Sequence, residues 1–531
     1  MANPRILPCD SGVIRAAASV PACAARRTWV LIAAVLGSTL AYVDESVVNV
    51  ALPTLESDLH ATLAAMQWVI NAYTLCMSAL LLIGGAAADQ FGRRRVFVIG
   101  IAVFAAASLG CGLAPDVRTL IAARTLEGVG AALLVPCSLA LIAAAYGEKE
   151  RGAAIGIWSG AAAIAAGAGP LLGGFLVDHV SWRAIFLINP ALAVPALWIT
   201  LRHVPESRDS EATGRLDWPG ALLAGAGLAA LVYALIAAAT LGWSDGRVLA
   251  GLAGGGLGLG AFVFTEQHSR APMMPLELFR ARTFTGINLL TLLLYGALGG
   301  AFFFLPFLLI QARGYSATAT GAVYLPFTLV LGVLSRWPGG LMDRFGARGP
   351  LIIGPAITAA GFALLSLRAA SYTAVLLAMT VLGFGMAITV APLTTTVLNA
   401  VPERRTGVAS GINNAVASVG GLLLIALLGT LALGVFDRAL ARQLAMARPS
   451  PALAQVVESA AGGLVMPAMP ASLAPQEQQR ARALVSAALE HTVALALWIA
   501  AALALASALV AATTLAPRAA LTAAGKSLHP S

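Results

Sequence analysis

The sequence predicts an all-α integral membrane protein with 14 transmembrane helices, arranged as two pseudo-symmetric six-helix bundles and an inserted helix pair. Three observations lead to this fold class. Of the 531 residues, 59% are hydrophobic and only 11% are charged, which is far below the charged share of a soluble protein. Apolar runs long enough to cross a bilayer follow one another along the chain. A short charged connection also occurs twice at a fixed offset, which indicates a duplicated unit.

The apolar runs predict helices because lipid offers no hydrogen-bond partner to the backbone. Fourteen runs can be counted in the sequence. They lie at 29–52, 65–87, 96–114, 119–145, 152–177, 184–201, 217–240, 247–265, 284–310, 318–341, 350–367, 371–397, 405–435 and 487–514.

The repeated connection reads GGAAADQFGRRRVFVIG over residues 84–100 and GGLMDRFGARGPLIIG over residues 339–354. Four matched pairs lie 254 residues apart: Gly85 and Gly339, Asp89 and Asp343, Gly92 and Gly346, Arg94 and Arg348. We therefore predict that helices 1–6 and 9–14 are two copies of one bundle, with a transport site between them.

The chain then divides into five parts. Helices 7 and 8 have no counterpart and form the inserted pair, whose first helix should start with Asp217 as its cap and Pro219 in its first turn. The predicted parts are a cytoplasmic tail (1–27), the first bundle (28–202), linkers with helices 7 and 8 (203–283), the second bundle (284–515) with a long periplasmic loop (437–483), and a cytoplasmic tail (516–531). A short helix near 475–484 is expected inside that loop.

The positive charge indicates membrane orientation and argues against nucleic-acid binding. The net charge is +9, but the arginines and lysines lie mainly in alternate connections. With the N-terminus inside, the inner segments carry 21 of them and the short outer connections carry 5. This bias follows the positive-inside rule and predicts that both termini are cytoplasmic.

Enzymatic chemistry is not indicated. The sequence lacks a GxxxxGK[ST] phosphate loop, a nucleophile–base spacing and a metal-ligand cluster. Its five cysteines show no paired spacing. We therefore expect no enzyme activity, no metal and no cofactor.

Several motifs occur in an order that resembles one transporter family. They are DESVVNVALP at 44–53, the connection at 84–100, RTLEGVGAA at 124–132, GAGPLLGG at 167–174 and LDWPG at 216–220. This order resembles the major facilitator superfamily, specifically its fourteen-helix drug:proton antiporter branch (the EmrB/QacA type). Two positions depart from the pattern: Glu127 stands where glutamine is usual, and Ala165 where glycine is usual.

The resemblance implies a proton-coupled secondary active exporter of small hydrophobic, cationic compounds, working by alternating access in a bacterial-type inner membrane and driven by the proton gradient. Two alternatives stay open: proton-coupled export or symport of a metabolite, and a transport-inactive membrane sensor or scaffold. The expected partners are the lipid bilayer, protons and a small-molecule substrate. A periplasmic adaptor protein is a further candidate partner.

Four ionisable residues in helices 1 and 4 are candidates for proton coupling: Asp44, Glu45, Arg124 and Glu127. A charge at membrane depth costs at least about 2.5–3.5 kcal/mol, so each needs a reason. Arg124 and Glu127 are spaced to pair on one helix, and Asp44 has no arginine within a helical turn. We expect Asp44 to carry the proton and Arg124 to control Glu127, whose charge would favour cationic substrates. A structural salt bridge is the alternative.

The connection at 84–100, called the hinge below, is predicted to act as a conformational latch. Its candidate residues are Gly85, Asp89, Gly92, Arg93 and Arg94, with Asp343 and Arg348 as a weaker second copy. Small residues allow close helix approach, and Asp89 can pair with Arg93 or Arg94 or cap a facing helix. The alternative is that the arginines only set topology.

Helix 5 carries the motif that the resemblance ties to antiporters: Gly156, Gly169, Pro170, Gly173 and Gly174. These residues leave a smooth face that allows another helix to pack closely, and Pro170 should bend the helix. We expect this face to seal the central cavity. Generic close packing is the alternative.

Six residues are candidates for contact with the substrate: Asn49, Asn71, Trp158, Tyr295, Asn413 and Asn414. Aromatic faces attract cations, and amides in lipid require a partner or water. Aromatic side chains in membrane helices also commonly face lipid or a neighbouring helix, which is the alternative for Trp158 and Tyr295.

Overall fold

The computed structural model describes residues 24–208, 217–269, 272–334, 346–368, 371–402, 405–447, 449–470 and 472–515. Over these ranges the chain is helical throughout most of its length and contains no β-strand. Fourteen helices in the described ranges are long and apolar enough to cross a membrane. The predicted fold class is confirmed.

We number these helices α1 to α14. The first six are α1 (Ala24–Asp58), α2 (Leu63–Phe91), α3 (Arg93–Gly112), α4 (Val117–Ala145), α5 (Glu148–His179) and α6 (Ala184–His203). The inserted pair is α7 (Trp218–Leu241) and α8 (Gly246–His268). As predicted, Asp217 caps α7, since its Oδ1 accepts a hydrogen bond from Gly220 N at 2.9 Å, and Pro219 lies in the first turn.

The last six helices include one that is divided in two and one that continues into a π-helical turn. The set is α9 (Arg282–Pro306), α10 (Ala317–Ala322 and Tyr324–Leu334), α11 (Arg348–Arg368), α12 (Tyr372–Asn399), α13 (Thr406–Ala447) and α14 (Pro475–Thr514). A 3-10 turn (Leu276–Arg280) precedes α9, and a wide π-helical turn (Phe307–Ala312) extends it. A short helix (Pro451–Glu458) lies between α13 and α14.

The two bundles repeat the same packing scheme. Within the first half, α1 packs on α4, α5 and α6, α4 packs on α2 and α3, and α3 packs on α6. Each of these pairs recurs eight helices later, so that α9 packs on α12, α13 and α14, α12 on α10 and α11, and α11 on α14. The repeated motif spacing in the sequence therefore corresponds to a repeated three-dimensional unit.

The halves meet along two seams, α5 against α10 and α2 against α13. The inserted helix α7 packs on both α2 and α13, and α8 packs on α7. Because the number of spans is even, α1 starts and α14 ends at the same end of the bundle. We call this the tail end and the opposite one the far end.

The segment 437–483, predicted as a periplasmic loop, is helical at both of its ends. The helix α13 continues to Ala447 and α14 begins at Pro475, so the expected short helix near 475–484 is the first part of α14. Alanine, glutamine, arginine and leucine in these stretches favour helix even though they are too polar for a membrane run. Hydropathy therefore placed the end of α13 about three turns too early and the start of α14 about three turns too late.

The shorter connection that remains folds over the far end of both halves. Leu453, Val457 and Leu464 are buried there. The backbone N–H of Leu464 donates to Glu56 Oε1 of α1 at 3.3 Å, and Met466 N donates to Gln311 Oε1 beyond α9 at 3.0 Å.

Part of the predicted organisation lies outside the described residues. This applies to Asp343 in the second hinge copy, to most of both terminal tails and to the middle of the first linker. The proposed domain boundaries thus stay a prediction.

Candidate functional site

A cavity of about 390 Å³ lies between the two halves. Its lining comes from α1, α2 and α4 on one side and from α9 and α13 on the other. The lining includes Tyr42, Glu45, Asn49, Tyr73, Thr74, Arg124, Tyr295, Phe302, Asn414 and Ser418. A mostly apolar pocket with a few polar groups is typical of a small-molecule site.

One guanidinium joins two carboxylates beside this cavity. Arg124 Nη1 donates to Asp44 Oδ2 of α1 and, at 2.8 Å, to Glu127 Oε2 one turn along α4. All three residues are at most 1% exposed. The Arg124 Nε donates to the backbone oxygen of Val69 at 3.1 Å, which fixes the guanidinium between α1, α2 and α4.

Further polar side chains from α3 and α6 contact this ionic cluster. Asn189 of α6 donates through Nδ2 to Asp44 Oδ1 at 3.0 Å and to Ser108 Oγ at 2.9 Å. The Cys111 thiol lies 3.4 Å from Glu127 Oε2. Arg124 also stacks over Tyr73, 4.3 Å from the ring centre. The cluster therefore connects α1, α2, α3, α4 and α6 of the first half.

Asp44 has no arginine within a helical turn of α1, but it is paired with Arg124 across the helices. The arginine comes from α4 and not from the same helix, so spacing along α1 could not reveal it. The expected Arg124–Glu127 pair does form. Asp44 and Glu127 are thus two arms of one buried cluster that share a single cation.

Glu45 points elsewhere, although it follows Asp44 directly. Successive helix residues are separated by about 100°, so neighbours face different directions. Asp44 is fully buried, whereas Glu45 is exposed and lines the cavity. Glu127 is not among the lining residues of the described cavity. Of these three acids, Glu45 is therefore the one that lines the cavity.

The six predicted substrate residues fall into two groups. Asn49, Tyr295 and Asn414 line the cavity, whereas the other three do not. Asn413 Nδ2 donates to Asn288 Oδ1 at 3.1 Å and to Thr291 Oγ1 at 2.8 Å, which joins α13 to α9.

Asn71 and Trp158 are both buried away from the cavity lining. Asn71 is fully buried, and neither atom of its amide has a hydrogen-bond partner. Trp158 is 8% exposed and packs edge-on against Tyr42, with 6.1 Å between the ring centres. Its contact with the cavity is thus indirect, through Tyr42.

The glycine motif of α5 serves two different neighbours. Side chains at Gly169 and Gly173 would overlap Ser46 and Val47 of α1. A side chain at Gly174 would overlap the backbone oxygen of Ala317 in α10, and Gly321 packs in turn on the backbone of Pro170. Gly156, by contrast, has open space around it. Only the far-end half of the motif makes close contacts.

Asp178 extends this seam at the far end. Its carboxylate accepts hydrogen bonds from the backbone N–H groups of Ala317 at 3.0 Å and Thr318 at 2.7 Å. It also accepts one from the Thr318 hydroxyl at 2.6 Å. On the other seam, Gln67 Nε2 donates to the backbone oxygen of Ile425 at 2.7 Å. These contacts join the halves at the far end.

The hinge makes contacts within the first half. Asp89 Oδ1 accepts from Arg93 Nε at 3.0 Å and Nη2 at 2.8 Å, and Arg94 donates to the backbone oxygen of Leu201. Gly92 has φ of +107°, which favours glycine, and a side chain there would lie 2.7 Å from Glu206. Gly85 has only an ordinary contact with Pro136; the tightly packed glycine is its neighbour Gly84, which lies against Ala132.

Glu206 contacts the first hinge copy, and Arg348 belongs to the second. The Glu206 carboxylate accepts from Arg94 N at 3.0 Å and Arg95 N at 3.2 Å, so it caps the start of α3. In the second half, Arg348 donates to the backbone oxygen of Ala512 at 2.7 Å.

The family description "Major Facilitator Superfamily" matches residues 34–425 of this sequence. The chain belongs to the major facilitator superfamily. Superfamily members are transporters and not enzymes, and they generally work without a cofactor. The resemblance inferred from the motifs is confirmed.

Several curated members of the superfamily are similar over most of the chain. The multidrug resistance protein Stp of Mycobacterium tuberculosis is 36% identical over 423 residues, which covers 79% of each chain. The tetracenomycin C resistance and export protein of Streptomyces glaucescens is 34% identical and covers 76% of each chain. A puromycin resistance protein of Streptomyces alboniger is 38% identical, covering 77% of this chain and 82% of its own.

Solved superfamily structures share the fold at low sequence identity. A bacterial homologue of the human lysosomal transporter Spinster, in an inward-facing and unoccupied conformation, has a TM-score of 0.63 at 18% identity. It covers 93% of this chain and 99% of its own. A D-xylose–proton symporter has a TM-score of 0.59 at 15% identity, covering 92% and 98%.

Sequence reasoning missed several polar residues of this superfamily member. Asn189 lies inside an apolar run, and a lone amide there indicates a buried hydrogen-bond partner. Gln67 is likewise an amide inside the apolar run of α2 and indicates a buried hydrogen-bond partner in the same way. Glu206 and Asp178 lie at helix ends among other polar residues, so the sequence offered no signal that separated them from solvated side chains.

The hinge geometry gives a first testable prediction. We expect Asp89→Asn to slow transport severalfold while substrate binding stays unchanged, because the substitution weakens the pairing with Arg93 and lies outside the cavity lining. The measurement is the initial transport rate together with equilibrium binding to purified protein. Glu150→Gln, which neutralises the carboxylate that pairs with Arg27 at the same end, is the matched control. Equal losses of binding and transport in Asp89→Asn would contradict a conformational role.

Proposed function

We propose that this transporter exports small hydrophobic cations from the cytoplasm in exchange for protons. The observation that carries the proposal is the buried cluster of two carboxylates on one guanidinium, next to a cavity into which a third carboxylate projects. The names of the similar resistance and export proteins agree with an exporter.

The charge of the cluster supports proton binding. With Asp44 and Glu127 both ionised, one guanidinium leaves a net negative charge in a site that is at most 1% exposed. Uncompensated charge is costly in such a place, and one bound proton removes it. Conversely, a proton can leave when a cation or water enters the neighbouring cavity, because Arg124 belongs to both the cluster and the cavity lining.

The cavity has the features that a flat hydrophobic cation requires. Glu45 supplies a negative charge, and Tyr42, Tyr73, Tyr295 and Phe302 supply aromatic surface. Aromatic faces attract cations in desolvated sites by about 2 kcal/mol. Asn414 and Ser418 on α13 offer hydrogen-bond partners from the second half.

The direction of transport follows from the ends of the molecule. The distribution of arginine and lysine predicts that the tail end is cytoplasmic. Contacts of Asp178, Gln67 and Glu56 hold the far end together. A substrate would therefore load from the cytoplasmic side, and release would require these contacts to separate.

The proposal is tested in inverted membrane vesicles prepared from cells that express the transporter. A lipophilic fluorescent cation added to vesicles with an acidified lumen should release luminal protons and accumulate inside. Vesicles with Asp44→Asn should show neither proton release nor accumulation. A wild-type transporter that accumulates the cation equally with the proton gradient collapsed would overturn proton coupling, and proton release by a neutral sugar alone would point to a metabolite transporter.

Substrate charge gives the second prediction. We expect Glu45→Gln to weaken export of a cation by roughly 10- to 100-fold, the size of one lost charge-assisted contact, and to leave a neutral compound of similar shape little changed. The measurement is the transport rate of both compounds over a concentration series. The comparison variant is Glu127→Gln, which removes a carboxylate that does not line the cavity. Equal effects of Glu45→Gln on both compounds would contradict its role in cation recognition.

A further inference from the structure

A second pair of acidic residues meets at the tail end of the inserted helices. Asp217 caps the start of α7, and Glu266 lies in the last turn of α8. Glu266 is 2% exposed, which is unusual for a glutamate at the end of a helix. The pair belongs to the LDWPG motif and to the end of α8, and neither residue lines the central cavity described above.

One oxygen of each carboxyl group is occupied by a backbone N–H. Asp217 Oδ1 accepts from Gly220 at 2.9 Å, and Glu266 Oε2 accepts from Met274 at 3.0 Å. The other two oxygens, Asp217 Oδ2 and Glu266 Oε1, are buried and have no hydrogen-bond partner in the structure.

These two orphan oxygens converge on one point. A methyl group placed at Gly220 would lie 2.7 Å from Glu266 Oε1 and 2.9 Å from Asp217 Oδ2. Glycine at this position leaves room for both oxygens. Two unpartnered carboxyl oxygens that face each other in a buried space require something positive between them.

Among the residues that the structure describes around this pair, the other charged groups are engaged elsewhere or exposed. On the segment that follows α8, Glu277 pairs with Arg405 at 3.2 Å and Arg280 is exposed. Arg282 at the start of α9 donates to the backbone oxygen of Thr513 at 2.8 Å. The His268 ring packs against the Phe264 ring, and its Nδ1 lies 2.8 Å from the Phe264 backbone oxygen. Within the described residues, Asp217 is the charged group that faces Glu266.

We propose that Asp217 and Glu266 form a proton-binding site in which the carboxyl group of one donates a hydrogen bond to the carboxylate of the other. Two ionised carboxylates in contact repel each other, and one shared proton replaces this repulsion with a short charge-assisted hydrogen bond. The site is separate from the Asp44–Arg124–Glu127 cluster and does not depend on the proposed substrate.

The shared proton fastens three segments together. Through Gly220 and Met274, the acid pair joins the start of α7, the end of α8 and the segment that leads into α9. Because α7 packs on both α2 and α13, this fastening fixes the inserted pair relative to the second half at the tail end. Folding takes up the proton, so the stability that it provides is lost as the pH rises and the proton leaves.

The test compares purified wild-type protein with Glu266→Gln, whose amide can accept from Met274 N and donate permanently to Asp217. We expect the Tm values of the two proteins to agree at pH 6 and the wild-type Tm to fall several degrees below that of the variant by pH 9. The infrared difference spectrum of wild type minus variant should contain a protonated-carboxyl band, in addition to any band that both proteins share. Asp217→Asn, which keeps the cap on Gly220, should behave in the same way, and Glu266→Ala should be destabilised at every pH.

Three results would overturn the proposal. Wild type and Glu266→Gln could keep a constant Tm difference from pH 6 to pH 9, or the infrared band could be the same in both. The third result is that Glu266→Gln is less stable than wild type at every pH and that added sodium or potassium raises the Tm of the wild type only. This result would mean that a metal cation, and not a proton, occupies the site. If the vesicle assay showed no proton-coupled transport while the Tm and infrared results came out as expected, the proposed function would fail and the proposed acid pair would stand.

Discussion

Arg124→Leu is expected to abolish export and to lower the free energy of unfolding by roughly 3–5 kcal/mol, because removal of one partner leaves uncompensated charges in a buried site. Arg124 is the cation shared by Asp44 and Glu127, and it also anchors to Val69 and stacks on Tyr73. The measurements are drug susceptibility of cells that express equal amounts of the variant and the Tm of the purified protein.

A triple variant separates folding from coupling. In Arg124→Leu with Asp44→Asn and Glu127→Gln, no charge remains in the cluster, so most of the lost stability should return. Export should stay absent because no group in the cluster can bind and release a proton. If the triple variant accumulates substrate against a gradient in vesicles, the cluster is structural and proton coupling resides elsewhere.

Gly174→Val is expected to reduce export by about 5- to 150-fold, as a steric cost of about 1–3 kcal/mol falls on one of the two alternating states. A side chain at Gly174 would overlap the backbone of Ala317, so the α5–α10 seam could not close at the far end. The transporter should then stay open toward that side. A cysteine introduced by Ser418→Cys in the cavity should become more reactive toward a membrane-impermeant thiol reagent added to cells.

The matched control is Gly156→Val in the same helix. It makes the same chemical change where an added Cβ would have no atom within 4 Å apart from the local backbone of α5. Export and cysteine labelling should therefore stay close to those of the protein with glycine at both positions. Equal damage from both substitutions would mean that helix propensity, and not closure of the seam, is responsible. Normal export by Gly174→Val would show that the seam tolerates the larger side chain.

The fold could be predicted because bilayer length and duplication both leave marks along the chain. Apolar runs gave the fourteen helices, and the 254-residue offset of the hinge copies gave the two halves. The ends of α13 and α14 were missed because their polar turns extend beyond the apolar run, and hydropathy does not report helix in such residues.

The residue types of the site could be predicted from the sequence, but the contacts between these residues could not. Charges in apolar runs identified Asp44, Glu45, Arg124 and Glu127, yet which of them face the cavity depends on the rotation of α1 and α4 in the bundle. For this reason the pairing of Asp44 with Arg124 across helices was not foreseen, and Glu45 proved to be the cavity acid. Asn413 likewise has partners on α9, which no local spacing could reveal.

The inserted pair breaks the pseudo-two-fold symmetry, and this has a consequence for compounds dissolved in the membrane. The α2–α13 seam is covered on its outer side by α7, whereas in the described chain no helix takes the equivalent position at the α5–α10 seam. Ile164 of α5 and Leu329 of α10 are 73% and 62% exposed. A lipophilic molecule that diffuses within the bilayer can therefore reach the boundary between the halves only at the α5–α10 seam. Lateral entry from lipid is thus restricted to one side of the transporter, whereas entry from water is not.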